Sequence, residues 1–262
     1  MNSYSLIVAD IHLQSDDTHP INQAFYCFLN QEAAKADSLY ILGDLFEMWV
    51  GDDIGLEQHK TVINHFANLT KTGLPIYLLF GNRDFLMRKA FWQATGIQPI
   101  LEPYAINLHG HELLMLHGDK LCTDDIRYQR ARKILRNPLV MWLFLKLSKK
   151  KRLEIGNSMR QKSKDSNRNK AENIMDVNES AVVSLLQRYP NVTDLIHGHT
   201  HRPAQHDLKV NNEPRTRWVL GDWRPQAQLI QISKQGITFK AFDNGELKYS
   251  DECVEKCLEL EY

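Results

Sequence analysis

Short apolar runs alternate with longer amphipathic stretches along this chain. Residues 4–9, 38–42, 76–80, 113–116 and 194–197 are near-continuous apolar segments. That is the pattern of strands covered on both faces. Residues 21–36, 56–72 and 85–95 carry helix-like periodicity, with Asp84 placed to cap the third. Strand and helix in alternation predict a layered α/β core. Further strands are expected at 216–220, 229–232 and 237–242, the last two joined by a turn at Lys234-Gln235-Gly236. Residues 124–190 break the rhythm: no strand-like run occurs there, and helices and loops are expected.

Each of the first five apolar runs ends in residues able to bind a cation. In order they are Asp10-Ile11-His12, Gly43-Asp44, Gly81-Asn82-Arg83-Asp84, His117-Gly118-Asp119 and Gly198-His199-Thr200-His201. Functional sites in open α/β sheets gather beyond the C-terminal ends of strands. One such ending is usually a turn or a cap; five in succession point to a shared metal site. Asp10 and His12, two apart on an extended chain, would point the same way. Asp44, with two carboxylate oxygens, suits a bridge between two cations. Asn82 adds a neutral oxygen, and His117, His199 and His201 add imidazole nitrogens. Mixed nitrogen and oxygen ligation without thiolate favours Mn, Fe, Co or Zn over Mg or Ca. Two bridged divalent ions lower the pKa of water and stabilise charge on phosphorus, so phosphoester or phosphoanhydride hydrolysis is the expected chemistry.

Composition narrows this further. The 262 residues carry 32 Lys+Arg against 32 Asp+Glu, a formal net charge of +0, which disfavours a nucleic-acid-coating protein. The zero is a sum of separated parts. Residues 146–170 hold ten basic residues against Glu154 and Asp165, while residues from Asp243 onward hold seven acids against Lys248 and Lys256. An apolar, aromatic stretch at 139–147 directly precedes the basic run, as in an interfacial anchor. It is too short to span a bilayer, which takes about 20 residues. The first ten residues lack a basic, then apolar, leader pattern, so no signal peptide is expected. Four scattered cysteines, Cys27, Cys122, Cys253 and Cys257, read as free thiols.

The ordered motifs resemble those of calcineurin-like metallophosphoesterases. That resemblance implies a four-layered α-β-β-α fold, a β-sandwich flanked by helices, here with a helical lid insertion. The core would comprise residues 1–123 and 191–242, the insertion 124–190 and an acidic tail 243–262. It also implies a dinuclear centre, with Asp10, His12, Asp44 and His201 on one ion and Asp44, Asn82, His117 and His199 on the other. Most of that superfamily has His where this chain has Arg83. A departing phosphate monoester, with a second pKa near 6, needs no proton donor at neutral pH. It does need its charge stabilised, which a guanidinium fork does well. Arg83 therefore argues for a pyrophosphate bond.

Longer blocks resemble the narrower family of diphosphatases that split UDP-2,3-diacylglucosamine in Gram-negative lipid A synthesis. They are residues 40–47, Gly81-Asn82-Arg83-Asp84-Phe85-Leu86, 117–125, 174–178 and 197–203. This resemblance implies two Mn2+ ions, water attack on the uridine-side phosphorus, and catalytic roles for Asn82, Arg83 and His117. Substrate contacts are implied at Asn82, Arg83, Asp125, Ser163, Asn167, Lys170 and His199. It further implies a monomer in the cytoplasm, held peripherally on the inner membrane, with a lipid-linked UDP-sugar and no nucleic acid as its partner. A nucleotide pyrophosphatase indifferent to acyl chains is the competing reading. A scaffold that has lost catalysis is a third, and such proteins usually lose ligands.

Overall fold

Strand β1 (Tyr4–Val8) alternates its side chains between two different cores. Leu6 and Val8 pack among helices, while Ile7 and Ala9 pack against a second sheet. That alternation follows from the two-residue period of a strand, and it organises the whole molecule. The computed structural model describes the backbone of residues 3–168, 176–223, 227–243 and 246–249, and the side chains of residues 3–163, 176–223 and 227–242.

In the first sheet β1 lies parallel to β2 (Ser38–Ile41), and β2 to β3 (Ile76–Leu78) and then β4 (Gln98–Pro99). On its other side β1 pairs antiparallel with β10 (Ala227–Ser233), followed by β11 (Gly236–Asp243) and β12 (Glu246–Tyr249). The second sheet runs in the order β5 (Tyr104–Leu108), β6 (His111–Leu116), β7 (Asp194–His197), β9 (Glu213–Val219), β8 (Ala204–Val210). Strands β6, β7 and β9 are mutually parallel.

Helices α1 (Pro20–Gln31), α3 (Lys60–Lys71) and α4 (Lys89–Thr95) cover the outer face of the first sheet through Phe25, Phe28, Phe66 and Phe91. Between the sheets lie Ile7, Leu42, Leu79, Met115, Ile196 and Ile230. Beyond the second sheet, Leu114, Leu116 and Leu195 meet Val182, Leu185 and Leu186 of α8 (Glu179–Gln187). The layers are therefore helix, sheet, sheet, helix. Burying each such side chain is worth about 1.5–3 kcal/mol relative to leaving it exposed.

Some expectations from sequence require correction. The stretch 56–72 is two helices, α2 (Asp52–Gln58) and α3, joined at His59. Asp84 does not cap α4; its carboxylate turns inward to the backbone N–H groups of Leu45 and Phe46. Asp52 takes the capping role from another element, accepting from Arg88 N and Phe91 N at 3.0 Å each. Helix α4 stops at Gly96, whose left-handed φ of 73° suits glycine. Sequence reading passed over β4, β5 and β8, which are exposed or only half-buried apart from Val210, so no continuous apolar run marks them. The acidic tail does not begin where the sheet ends, because β12 at 246–249 still pairs with β11. Residues 250–262, with Cys253 and Cys257, lie outside the described residues.

Candidate metal centre

The candidate cation-binding residues sit just past the ends of the parallel strands, and several leave the extended state there. Asp10, His12, Asp44, His199 and His201 have φ of 52°, 55°, 50°, 72° and 57°. Non-glycine residues in this left-handed region cost of order 1–3 kcal/mol each and persist only where their surroundings impose them. The expectation that Asp10 and His12 share a face of an extended strand is thus incorrect. The loops after β1 and β2 instead hold each other through Asp10 N to Gly43 O at 3.1 Å and His12 N to Asp44 O at 3.0 Å. The neighbouring glycines serve two purposes. Gly43 has φ of 92°. Gly81 and Gly198 allow close approach: a Cβ on Gly81 would lie 2.2 Å from Asp44 Oδ1, and one on Gly198 2.2 Å from Asp10 Oδ2.

These loops bring seven predicted side chains together. The ligand atoms of Asp10, His12 and His201 lie within 4.8 Å of one another, as do those of Asp10, Asp44 and His117. His12 Nε2 faces His201 Nε2 at 3.3 Å. Asn82 Oδ1 lies 3.0 Å from His117 Nε2 and 3.1 Å from His199 Nδ1. His117 Nδ1–H donates to the Leu42 carbonyl at 2.8 Å, leaving Nε2 toward the cluster. The Asp10 carboxylate accepts from His199 N at 2.7 Å through Oδ2. Its Oδ1 is buried without a hydrogen-bond donor among the described residues. Imidazole nitrogens converging on one another and on a carboxylate oxygen of Asp10 that accepts no hydrogen bond among the described residues fit cations, which would satisfy all of them at once.

The charges tell the same story. Asp10, Asp44, Asp84 and Asp119 are all buried. Burial pushes Asp44 up, opposed by His117. Burial and then the Asp44 charge push Asp84 up to about 7. Burial would also raise Asp10, but His201 beside it holds its carboxyl well below the usual range. Burial disfavours a charged His117, yet the Asp44 and Asp10 carboxylates outweigh it and raise the imidazole to about 9. Burial and the nearby His117 lower His199 to about 3. Such a crowd of acids suits divalent ions.

Arg83 sits beside the cluster. Its backbone N–H donates to Asp44 Oδ1 at 2.9 Å, and its guanidinium reaches Glu47 Oε2 at 3.0 Å and Asp44 Oδ2 at 3.6 Å. Glu47 was missed from sequence alone, although an acid inside the apolar run 45–50 is itself a signal. Asp119 ion-pairs with Arg132 at 2.6 Å and Arg136 at 3.4 Å, and accepts from Tyr128 Oη at 2.8 Å. His197 is buried and held by the Gly198 carbonyl and Arg217; burial lowers it to about 4.

Residues 5–203 match the profile of the family described as calcineurin-like phosphoesterase. The chain belongs to that family. This phosphoesterase is 42% identical to a UDP-2,3-diacylglucosamine hydrolase of Serratia proteamaculans, over 91% of this chain and 98% of the relative. A protein of that name from Pseudomonas fluorescens is 40% identical over 91% and 95%. One from Escherichia coli is 42% identical over 89% and 96%.

Between β6 and β7 the phosphoesterase carries α5 (Ile126–Leu135), α6 (Pro138–Leu145), α7 (Lys149–Arg168) and α8. With the loops after β2 and β3, the first three of these helices enclose a mainly apolar cavity of about 520 Å³. Asn82 and Arg83 lie in its wall beside Phe85, Leu135, Met141, Phe144, Ile155 and Met159. Ser163 lines it too. Asp125 caps α5, its Oδ1 accepting from Tyr128 N at 3.0 Å. Asn167 and Lys170 lie outside the described side chains. On the outer face Ile126, Ile134, Leu139, Trp142 and Leu143 are more than half exposed. No helix among the described residues is long and apolar enough to cross a membrane.

Proposed function

We propose that the protein hydrolyses the pyrophosphate bond of UDP-2,3-diacylglucosamine to UMP and 2,3-diacylglucosamine 1-phosphate. One observation carries this reading: a ligand-rich polar cluster with Arg83 stands at the wall of an apolar cavity. A diphosphate joined to acyl chains has that same polarity. The name borne by relatives about 40% identical over nine-tenths of the chain supports it.

Asp10, His12, Asp44, Asn82, His117, His199 and His201 would hold two divalent ions, with Mn2+ as the proposed metal. When bound, such ions neutralise charge on the phosphate and lower the pKa of water. The protein's own groups do the rest. The Leu42 carbonyl fixes the His117 tautomer. Asn82 orients its amide oxygen between two imidazoles. Arg83 carries a planar fork of donors for the departing phosphate, whose charge grows as the bridging P–O bond breaks. Water adds to the uridine-side phosphorus, and the leaving sugar phosphate needs no proton at neutral pH. The cavity would receive acyl chains, and Asp125, Ser163, Asn167, Lys170 and His199 would contact the head group. The exposed apolar face of α5 and α6, close to Lys146, Lys149 and Lys150, would rest on the inner membrane from the cytoplasmic side, as a monomer.

The test is UMP release from UDP-2,3-diacylglucosamine by protein loaded with Mn2+. Release no greater than from a His117→Ala variant refutes the proposal.

A further inference from the structure

Helix α7 meets the loop after β2 along one stripe of residues spaced four apart. Arg152 donates to Val50 O at 2.7 Å and pairs with Asp53. At Gly156 a Cβ would lie 2.6 Å from Met48 Sδ and 2.9 Å from Val50 Cγ1, so any side chain there would have to push Met48 and Val50 aside. Arg160 closes the stripe with an ion pair to Glu47 Oε1. Residues at i, i+4 and i+8 face the same way on a helix, so all three contacts form together as α7 seats.

Glu47 is 8% exposed and has cationic or ligand groups on both sides. Its Oε1 serves Arg160, while its Oε2 lies 3.0 Å from Arg83 Nη1 and 3.6 Å from His12 Nδ1. His12 Nε2 is the nitrogen turned toward His201. At 3.6 Å the carboxylate faces the far nitrogen of this imidazole at ion-pair rather than hydrogen-bond distance, so its charge favours one ring orientation. The structure assigns Glu47 as a positioning residue that ties the seating of α7 to the metal ligand His12 and to Arg83. This rests on the metal-centre reading but not on the identity of the substrate.

The experiment titrates metal-stripped full-length protein with Mn2+ by calorimetry, without substrate. Loss of such a supporting partner typically lowers metal affinity about 10–100-fold. Glu47→Gln is expected to show that loss with two-state unfolding retained. Arg160→Met is expected to show a smaller loss, Arg160→Lys a partial recovery, and the Glu47→Gln, Arg160→Met pair less than the sum of the singles. Wild-type affinity in Glu47→Gln, or strict additivity of the pair, overturns the assignment. Should Glu47→Gln fail to fold, Arg160→Met decides: reduced Mn2+ affinity supports the coupling and unchanged affinity overturns it. A wrong substrate would instead show as tight Mn2+ binding by the unmodified protein without UMP release.

Discussion

His117 donates its Nδ1 proton to the Leu42 carbonyl oxygen at 2.8 Å, which leaves Nε2 facing Asn82 Oδ1 at 3.0 Å. A carbonyl can only accept, so Nδ1 carries a proton and cannot itself serve as a ligand atom. The strand that ends just before Asp44 thereby orients a ligand from the opposite sheet.

Replacing His117 should be costly. Supporting groups around metal ligands contribute about 10–100-fold, so losing the ligand itself should reach at least the upper end of that range. His117→Gln is expected to lower kcat by about a hundredfold or more and to reduce Mn2+ bound per chain. Steady-state kinetics with metal analysis checks both, and near-normal turnover would contradict the assignment.

Gly81→Ala and Gly198→Ala should damage the site without replacing a candidate ligand. Their Cβ atoms would lie 2.2 Å from Asp44 Oδ1 and 2.2 Å from Asp10 Oδ2. Relief requires the Asp44 and Asp10 loops to move. Overpacking of this kind costs about 1–3 kcal/mol, so both variants should unfold at lower urea and lose most activity. Gly73→Ala is the comparison: open space surrounds that Cβ, but its φ of 99° makes it a purely backbone perturbation.

His59 predicts a pH-dependent stability. Its ring packs 4.3 Å from Phe46 and 6.1 Å from Trp49, centroid to centroid. Burial lowers its pKa from 6.5 to about 4. The folded state thus binds this proton more weakly than the unfolded chain. The corresponding stability is fully present above pH 6.5 and is lost as pH falls toward 4. A shift of that size corresponds to about 3 kcal/mol. His59→Phe should lose less stability than the unmodified protein between pH 7 and pH 4.5, as measured by urea unfolding. Parallel curves would show that another group governs this range.

The outer face of α6 predicts membrane contact. Trp142 and Leu143 are 56% and 53% exposed, and Lys146 Nζ lies 5.6 Å from the Trp142 ring centroid. Anionic vesicles should draw protein from solution in a salt-sensitive way, and Leu143→Asp should weaken that binding while leaving metal content unchanged. Equal binding by Leu143→Asp would place the contact elsewhere.

The candidate metal ligands were legible because each follows closely on a strand, and strands announce themselves as short apolar runs. Glu47 and Arg160 were not, since they sit 113 positions apart and nothing local marks their pairing. Arg152 looked like part of a basic surface, yet it is 4% exposed and fastens α7 through Asp53. Asp84 looked like a helix cap because it precedes an apolar helical stretch; Asp52 is brought to that helix by the fold instead.

By itself, then, the chain's pattern of apolar runs and their polar ends determined the layered fold, the candidate ligand types and the strand ends that carry them. Backbone periodicity and side-chain chemistry are local properties, and these features depend on little else. Only the tertiary structure decided how the ligands converge. They meet through left-handed turns at Asp10, His12, Asp44, His199 and His201, conformations these residues would not choose alone. Contacts between distant loops impose those turns, through Gly43 O on Asp10 N and Asp10 Oδ2 on His199 N. Their energy comes from packing the two sheets together, which no single segment contains.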